Sequence, residues 1–316
     1  MKKIISVVLT AVMLFSFGAC SGGGKAPVTI EGTEINSGIF TYFLHRIIAS
    51  PETYGLGADA DEKELKTAAV NECKRYISIN TEFANRGTSL TSAQKVEIAE
   101  EVNNIWLRSK NHYESVGVTK QTLTKVITAE KYEEALFTAL YDKGMQDASA
   151  EKIIQDYFYS NYVCFKTVCA YFSSASGEAM TQLEKNQMLA VFDGLSSTEA
   201  VKPEEFTKSF TDAGYQASDT VVLKKSSDGY PDGFFESVKS QADGTIRTIV
   251  YDDCVFAVYK ENLEDKGESV YASYRSVCIK DLYSAENESR IEKAVEVLTV
   301  KENQREIDKI YNKIKA

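Results

Sequence analysis

The chain has 316 residues, of which 43% are hydrophobic and 26% charged, a composition that suits a soluble globular protein long enough for two compact units. Its net charge is −10, and two units more negative without Lys2 and Lys3. Nucleic acid and anionic membrane surfaces are therefore excluded as electrostatic partners.

Lys2 and Lys3 form a short basic head, Ile4 to Phe17 is almost wholly apolar, and small Gly18 and Ala19 precede Cys20. This is the anatomy of a secretory signal. The run is shorter than the roughly 20 apolar residues needed to cross a bilayer. The cysteine directly after the small pair resembles the bacterial lipobox. That resemblance implies a signal peptide over 1–19, removed in the mature protein, and a diacylglycerol on Cys20 that anchors it outside the cytoplasm. Residues 20–27, with Ser21 to Gly24 at their start, read as a flexible tether.

Val28 to Ile30 and Thr33 to Ile35, around Glu31-Gly32, predict a small hairpin. Asn36 or Ser37 caps a helix with Ile39, Phe40, Phe43, Leu44, Ile47 and Ile48 at helical spacing. Pro51 ends it. Amphipathic patterns predict helices over about 61–86, 92–114 and 119–145, the last after Gly117, and a shorter one near 149–160. At Tyr162 the pattern changes: "YVCFKTVCAYF" is rich in β-branched and aromatic residues and predicts a strand over 162–172. Then follow helices at about 177–193 and 203–212, a strand at 219–224, a short helix at 231–240, and two strands around Tyr251-Asp252-Asp253. Helices return at about 267–286, 288–298 and 303–314. A β-α-α-β-α-β-β order with helices on both sides is that of an α+β protein with a small antiparallel sheet.

These segments resemble the extracytoplasmic foldases of the PrsA/SurA type. The carriers are "VTIEGTEINSGIFTYFL", similar to the family's opening strand, turn and helix, and "SAEKIIQDYFYSNY", similar to the helix that leads into its parvulin domain. Then come "PDGFFESVKSQADGTIRTIVYDDCVFAVYK", similar to the helix, turn and closing hairpin of that domain, and the terminal "VKENQREIDKIY". The resemblance implies a SurA-N-like helical chaperone module over 28–160, a parvulin-like domain inserted at 161–264, and helices of 265–316 packing back on the module. It implies a lipoprotein that binds unfolded, newly exported chains, with dimerisation through the helical module left open.

Active parvulins resemble one another in a histidine on the first strand and another on the last. Here Thr167 stands at the first position and Val255 or Phe256 at the second. Asp219 is the weak counterpart of the family's acidic or thiol residue. The resemblance thus implies peptidyl-prolyl isomerase as the ancestral chemistry and a degenerate site, with no catalytic residue assigned. Two other readings stand beside it: an active isomerase with a histidine-free site, and a non-catalytic lipoprotein with one dedicated envelope partner.

The rest of the chain offers little chemistry. The only histidines, His45 and His112, lie far apart in helical stretches and read as isolated surface or helix-end residues. Five cysteines besides Cys20, at 73, 164, 169, 254 and 278, have neither metal spacing nor the look of a disulfide framework, and read as buried thiols. Paired carboxylates such as Glu100-Glu101 and Asp252-Asp253 read as solvated faces. No hydrolase elbow, phosphate loop or dinucleotide fingerprint occurs, so no cofactor and no metal are expected. The aromatic residues between Tyr157 and Phe172 are the remaining signal. Among them Tyr162, Phe165 and Tyr171 are candidates for gripping apolar peptide segments.

Overall fold

The computed structural model describes residues 25–142, 148–174, 176–196 and 202–316; the expected signal peptide and the expected lipidation site at Cys20 lie outside them. The chain divides into two compact units, one ending at Met145 and resuming over Tyr283–Ala316, the other spanning Gln146–Leu282.

The first unit opens with β1 (Val28–Ile30) and β2 (Thr33–Glu34). Glu31 and Gly32 both take positive φ, 48° and 78°, the two-residue turn whose twist matches an antiparallel pair. Glu31 is an unusual residue there, but its carboxylate accepts hydrogen bonds from the Thr299 N–H and Oγ1 at 2.6 and 2.8 Å. Ordering starts before Val28, since the Pro27 carbonyl accepts from the Asn303 N–H at 2.8 Å.

Helix α1 (Ser37–Ala49) is capped by Asn36, whose side chain accepts from the Gly38 N–H. A 3₁₀ turn, Pro51–Tyr54, follows it. Reciprocal capping boxes start both α2 (Glu62–Asn85), through Asp61 and Glu64, and α3 (Ser92–Val116), through Thr91 and Gln94. Helix α4 (Lys120–Phe137) begins at Thr119 and runs into a π-helical turn, Thr138–Asp142. Gly38 lets α1 and α4 approach closely, because a Cβ there would lie 2.7 Å from Thr122 Oγ1. Ile39, Phe40, Leu44 and Ile47 of α1 meet Ala69, Val70 and Cys73 of α2 and Leu123 and Val126 of α4 in one core. Each large side chain buried there contributes about 1.5 to 3 kcal/mol.

The second unit runs through α5 (Ala148–Asn161), β3 (Tyr162–Tyr171), α6 (Gln182–Ser196), α7 (Pro203–Asp212) and β4 (Val221–Lys224). It continues with α8 (Phe234–Lys239), β5 (Ile246–Val250), β6 (Cys254–Glu261) and the first part of α9 (Glu268–Glu296). The sheet has the order β4-β3-β6-β5 and is antiparallel throughout. Strict alternation sorts its side chains. Val163, Phe165, Cys254, Phe256 and Val258 pack with Phe234, Phe235 and Val238 of α8 on one face. Val168, Ala170, Val255, Ala257 and Tyr259 pack with Phe192 of α6 and Phe206 and Phe210 of α7 on the other.

The chain then returns to the first unit through the rest of α9, β7 (Val300–Glu302) and α10 (Gln304–Lys315). Strand β7 pairs with β1, so the expected hairpin is a three-stranded sheet of order β2-β1-β7. Ile307 and Ile310 of α10 join the main core.

The structure corrects the sequence expectation in three places. The two helices expected at 267–286 and 288–298 are one, because nothing between them breaks a helix: Asn287 is buried and accepts from the Arg290 guanidinium at 3.1 Å. The unit boundaries fall at 145/146 and 282/283, not at 160/161 and 264/265. The reason is side-chain chemistry. Glu151 of α5 accepts from Tyr271 Oη at 2.5 Å and Arg275 Nη2 at 2.9 Å, and Phe158 lies 5.6 and 5.8 Å from the Tyr271 and Tyr274 rings. Helix α5 and the first part of α9 therefore belong with the sheet. Third, ordering reaches into the expected tether, as Pro27 shows.

The Glu151 cluster makes a pH-dependent contribution. The Arg275 guanidinium holds the Glu151 carboxyl below the usual carboxylate range, against a smaller opposing effect of burial. A depressed folded-state pKa gives stability that is present above the unfolded value and lost as pH falls through the folded one. Glu151→Gln is expected to cost about 1 to 2 kcal/mol at pH 7 and progressively less as pH falls below the usual carboxylate range, measured by urea unfolding across that range.

Candidate functional site

Two places could carry function: the α8 face of the sheet, and a polar, tyrosine-rich ledge on the helical unit.

On the sheet, Thr167 pairs directly with Val258 and Cys169 with Phe256. Alternation puts Thr167 and Phe256 on the same face and Val255 on the opposite one, which decides between the two last-strand candidates. Thr167 is 7% exposed, and its hydroxyl donates to the Ala257 carbonyl at 3.0 Å. Its backbone is tied to Ser218: the Thr167 N–H donates to Ser218 Oγ at 3.0 Å, and the Ser218 N–H to the Thr167 carbonyl at 2.8 Å. Asp219, the next residue, is exposed in the loop before β4. Phe256 is enclosed by rings, with centroids at 5.0 Å to Phe234 and 6.0 Å to both Tyr230 and Tyr251.

Half-buried Cys169, Tyr230 and Tyr251 remain at the rim. Burial pushes the Cys169 thiol up and drives Cys254 up to about 12. This face therefore holds hydroxyls spent on backbone, protonated thiols and rings. It carries no histidine, and the carboxylates near it, Asp253 beside Cys169 and Cys254 and Asp232 near Tyr251, stand at its rim.

The candidate aromatics are corrected here. Tyr162 is 2% exposed and Phe165 not at all, so both are core residues: Tyr162 packs edge-on to Tyr274 and Phe165 to Phe234 and Tyr230. Tyr171, at 62% exposure, lies at the open end of β3.

The helical ledge was not signalled by any motif. Tyr42 forms its buried floor, and its hydroxyl accepts from Arg46 Nη1 at 3.0 Å; burial pushes that hydroxyl up to about 12. Arg46 is half exposed and lies 3.7 Å from Glu130. Half-buried Tyr54 and Tyr113 flank it, and Tyr113 stacks on Tyr42 at 6.3 Å. Crowding by the surrounding helices raises the carboxyls of Glu72 and Glu130. Perturbed groups gathered at an accessible surface mark a functional-site candidate. Beside them His45 of α1 and His112 of α3 meet with Nε2 atoms 2.7 Å apart. The two histidines that read as isolated are a pair, because α1 and α3 place neighbouring faces together.

The fold and these sites define a helical unit, closed by a C-terminal return, into which an antiparallel α+β unit is inserted. No protein-family model matches the chain, and no curated protein matches it. Among solved structures it is similar to the foldase protein PrsA from Streptococcus pneumoniae, at 12% identity and a TM-score of 0.41 over 86% of this chain and 94% of that one. It is also similar to the foldase protein PrsA from Lactococcus lactis, at 13% and 0.42 over 92% and 99%. A third similarity is to the Campylobacter jejuni structures described as two structurally related SurA-like chaperones, PEB4 and Cj1289, at 10% and 0.30 over 88% and 99%.

Proposed function

We propose that this protein is a membrane-anchored extracytoplasmic chaperone of the foldase type, holding unfolded exported chains by reversible capture, with its isomerase activity weak or lost. The observation that carries the proposal is the ledge of the helical unit, where half-buried Tyr54 and Tyr113 stand beside the half-exposed Arg46. Tyrosines give large contact area at small entropic cost and suit clients of varied sequence. Helix α3 beside it buries only Ile98, Val102 and Val116 of its 25 residues and leaves Leu107 81% exposed. Capture at such a surface lowers the concentration of aggregating chain by mass action and needs no nucleotide.

The face around Thr167 and Phe256, which has no histidine and whose Thr167 hydroxyl is tied to the Ala257 carbonyl, supports the second half of the reading. The leader and Cys20 support the anchor; among the described residues no helix is long and apolar enough to cross a membrane.

Two measurements test this. The protein is expected to suppress aggregation of several unrelated unfolded proteins, and Tyr54→Ala with Tyr113→Ala to weaken that suppression severalfold. Suppression of none, with firm retention of a single folded partner, would replace the chaperone by a dedicated adaptor. Prolyl exchange in a short Ala-Xaa-Pro-Phe peptide, followed by NMR, is expected to run no faster than in buffer. Clear acceleration would make the protein an isomerase with a histidine-free site.

A further inference from the structure

His45 and His112 are the chain's only histidines and stand 67 residues apart in sequence. Their Nε2 atoms nevertheless converge to 2.7 Å, with ring centroids at 4.6 Å and planes inclined by 62°. At that separation one Nε2 carries the hydrogen and the other presents its lone pair along the same line. His45 is held by packing, 6.4 Å from the Tyr113 ring, and its Nδ1 is buried without a hydrogen-bond partner. His112 sits on the exposed side.

We infer that His45 and His112 form a two-imidazole site for a late first-row divalent cation of the zinc or nickel class, bridging α1 and α3. Neutral imidazole nitrogen is a preferred ligand of these borderline cations. Two Zn–N bonds of about 2.0 to 2.1 Å at a tetrahedral angle set the nitrogens about 3.3 Å apart. From the hydrogen-bonded pair the rings must part by roughly 0.6 Å and turn so that both Nε2 lone pairs converge on the cation, the exposed His112 making the shift and turn. The hydrogen they share moves to the Nδ1 of the ring that carried it. Among the described residues no group of three or more His, Cys, Asp or Glu side chains could hold a metal. The site thus supplies two protein ligands and leaves the remaining positions to water, which makes it an exchangeable site and not a structural one. A bound cation would tighten the junction of α1 and α3 that the Tyr42–Tyr113 stack already forms. Binding to the folded chain alone would raise its stability by mass action.

The experiment is a titration of the protein with zinc chloride near pH 7.5, watched through the two imidazole Cε1–H NMR signals. With only two histidines in the chain, both signals are assignable by single substitution. Both are expected to shift together and saturate at one equivalent, with a rise in the thermal midpoint. Losing even an outer partner of a metal ligand costs about 10 to 100-fold in affinity. His112→Gln, on the exposed side, is expected to cost at least about that much while leaving the circular dichroism unchanged. Zinc that leaves both signals unmoved overturns the inference, including the case where it is taken up at cysteine thiols. So does zinc affinity that is equal in His112→Gln. The readout on the parent chain decides alone if that variant folds poorly.

Discussion

Phe165→Ala is expected to destabilise the sheet unit by about 3 to 5 kcal/mol. Phe165 has no exposed surface and sits in the middle of β3, between the Phe234 ring at 5.4 Å and the Tyr230 ring at 5.7 Å, both edge-on. Truncation removes the transfer free energy of a ring and two aromatic contacts. The cavity left behind is walled by β6 and α8, whose own side chains Phe256 and Phe234 are already in contact at 5.0 Å, so collapse is limited. Trp106, the only tryptophan, lies in α3 of the other unit and reports on that unit. The loss should therefore be read from hydrogen exchange of β3 and β6 amides, with the Trp106 fluorescence transition as the internal control. A loss below about 1 kcal/mol would mean that Phe165 is a loosely held surface ring available to peptides, as the sequence alone suggested, and not a core residue.

That ring shows where sequence reading succeeded and where it stopped. The strand over 162–172 was legible because β-branched and aromatic residues crowd it, and α2 and α3 were legible from their apolar spacing and capping residues. Strand β7 was not, because three residues carry no measurable alternation; it exists only through its register against Val28–Ile30. The continuity of α9 was missed because Asn287 resembles a break when its partner Arg290 is unknown. The aromatic run also said nothing of burial: Tyr162 and Phe165 vanish into packing while Tyr171 does not.

The sites were legible to different depths. Thr167 could be placed on a strand, but the choice between Val255 and Phe256 needed the register, since one residue of slip moves a side chain to the other face. The histidine pair had no signal at all. His45 and His112 lie on separate helices, and only the way those helices meet brings their rings together. Arg46, Glu72 and Glu130 look like ordinary solvated charges in sequence, and their neighbourhood alone makes them a ledge.

Arg75→Met is expected to cost the helical unit about 2 to 3 kcal/mol at pH 7, and much less near pH 4.5. Arg75 of α2 bonds two carboxylates at once: its Nη2 donates to Glu133 at 2.6 Å, and its Nη1 and Nη2 donate to Glu288 at 2.5 and 2.8 Å. Its side chain is 24% exposed, and those of Glu133 and Glu288 are 32% and 47% exposed, so solvent screening holds the cost below that of a fully buried pair. Glu72 stands one turn away. Burial pushes its carboxyl above the usual range, and Arg75 pulls it partly back. Without the guanidinium, three carboxylates face one another with only Arg46 still pulling on Glu72, and the Glu72 carboxyl rises further. A folded-state pKa above the unfolded one makes protonation favour the fold, so the variant recovers relative to its parent as pH falls through the carboxylate range. Urea unfolding followed by Trp106 fluorescence at pH 7 and pH 4.5 measures both values. An equal penalty at the two pH values would assign the role of Arg75 to packing of its aliphatic stem, and Arg75→Lys separates the cases again. A single ammonium cannot reproduce a fork that holds two carboxylates, so that variant should keep the packing and lose about half of the electrostatic contribution.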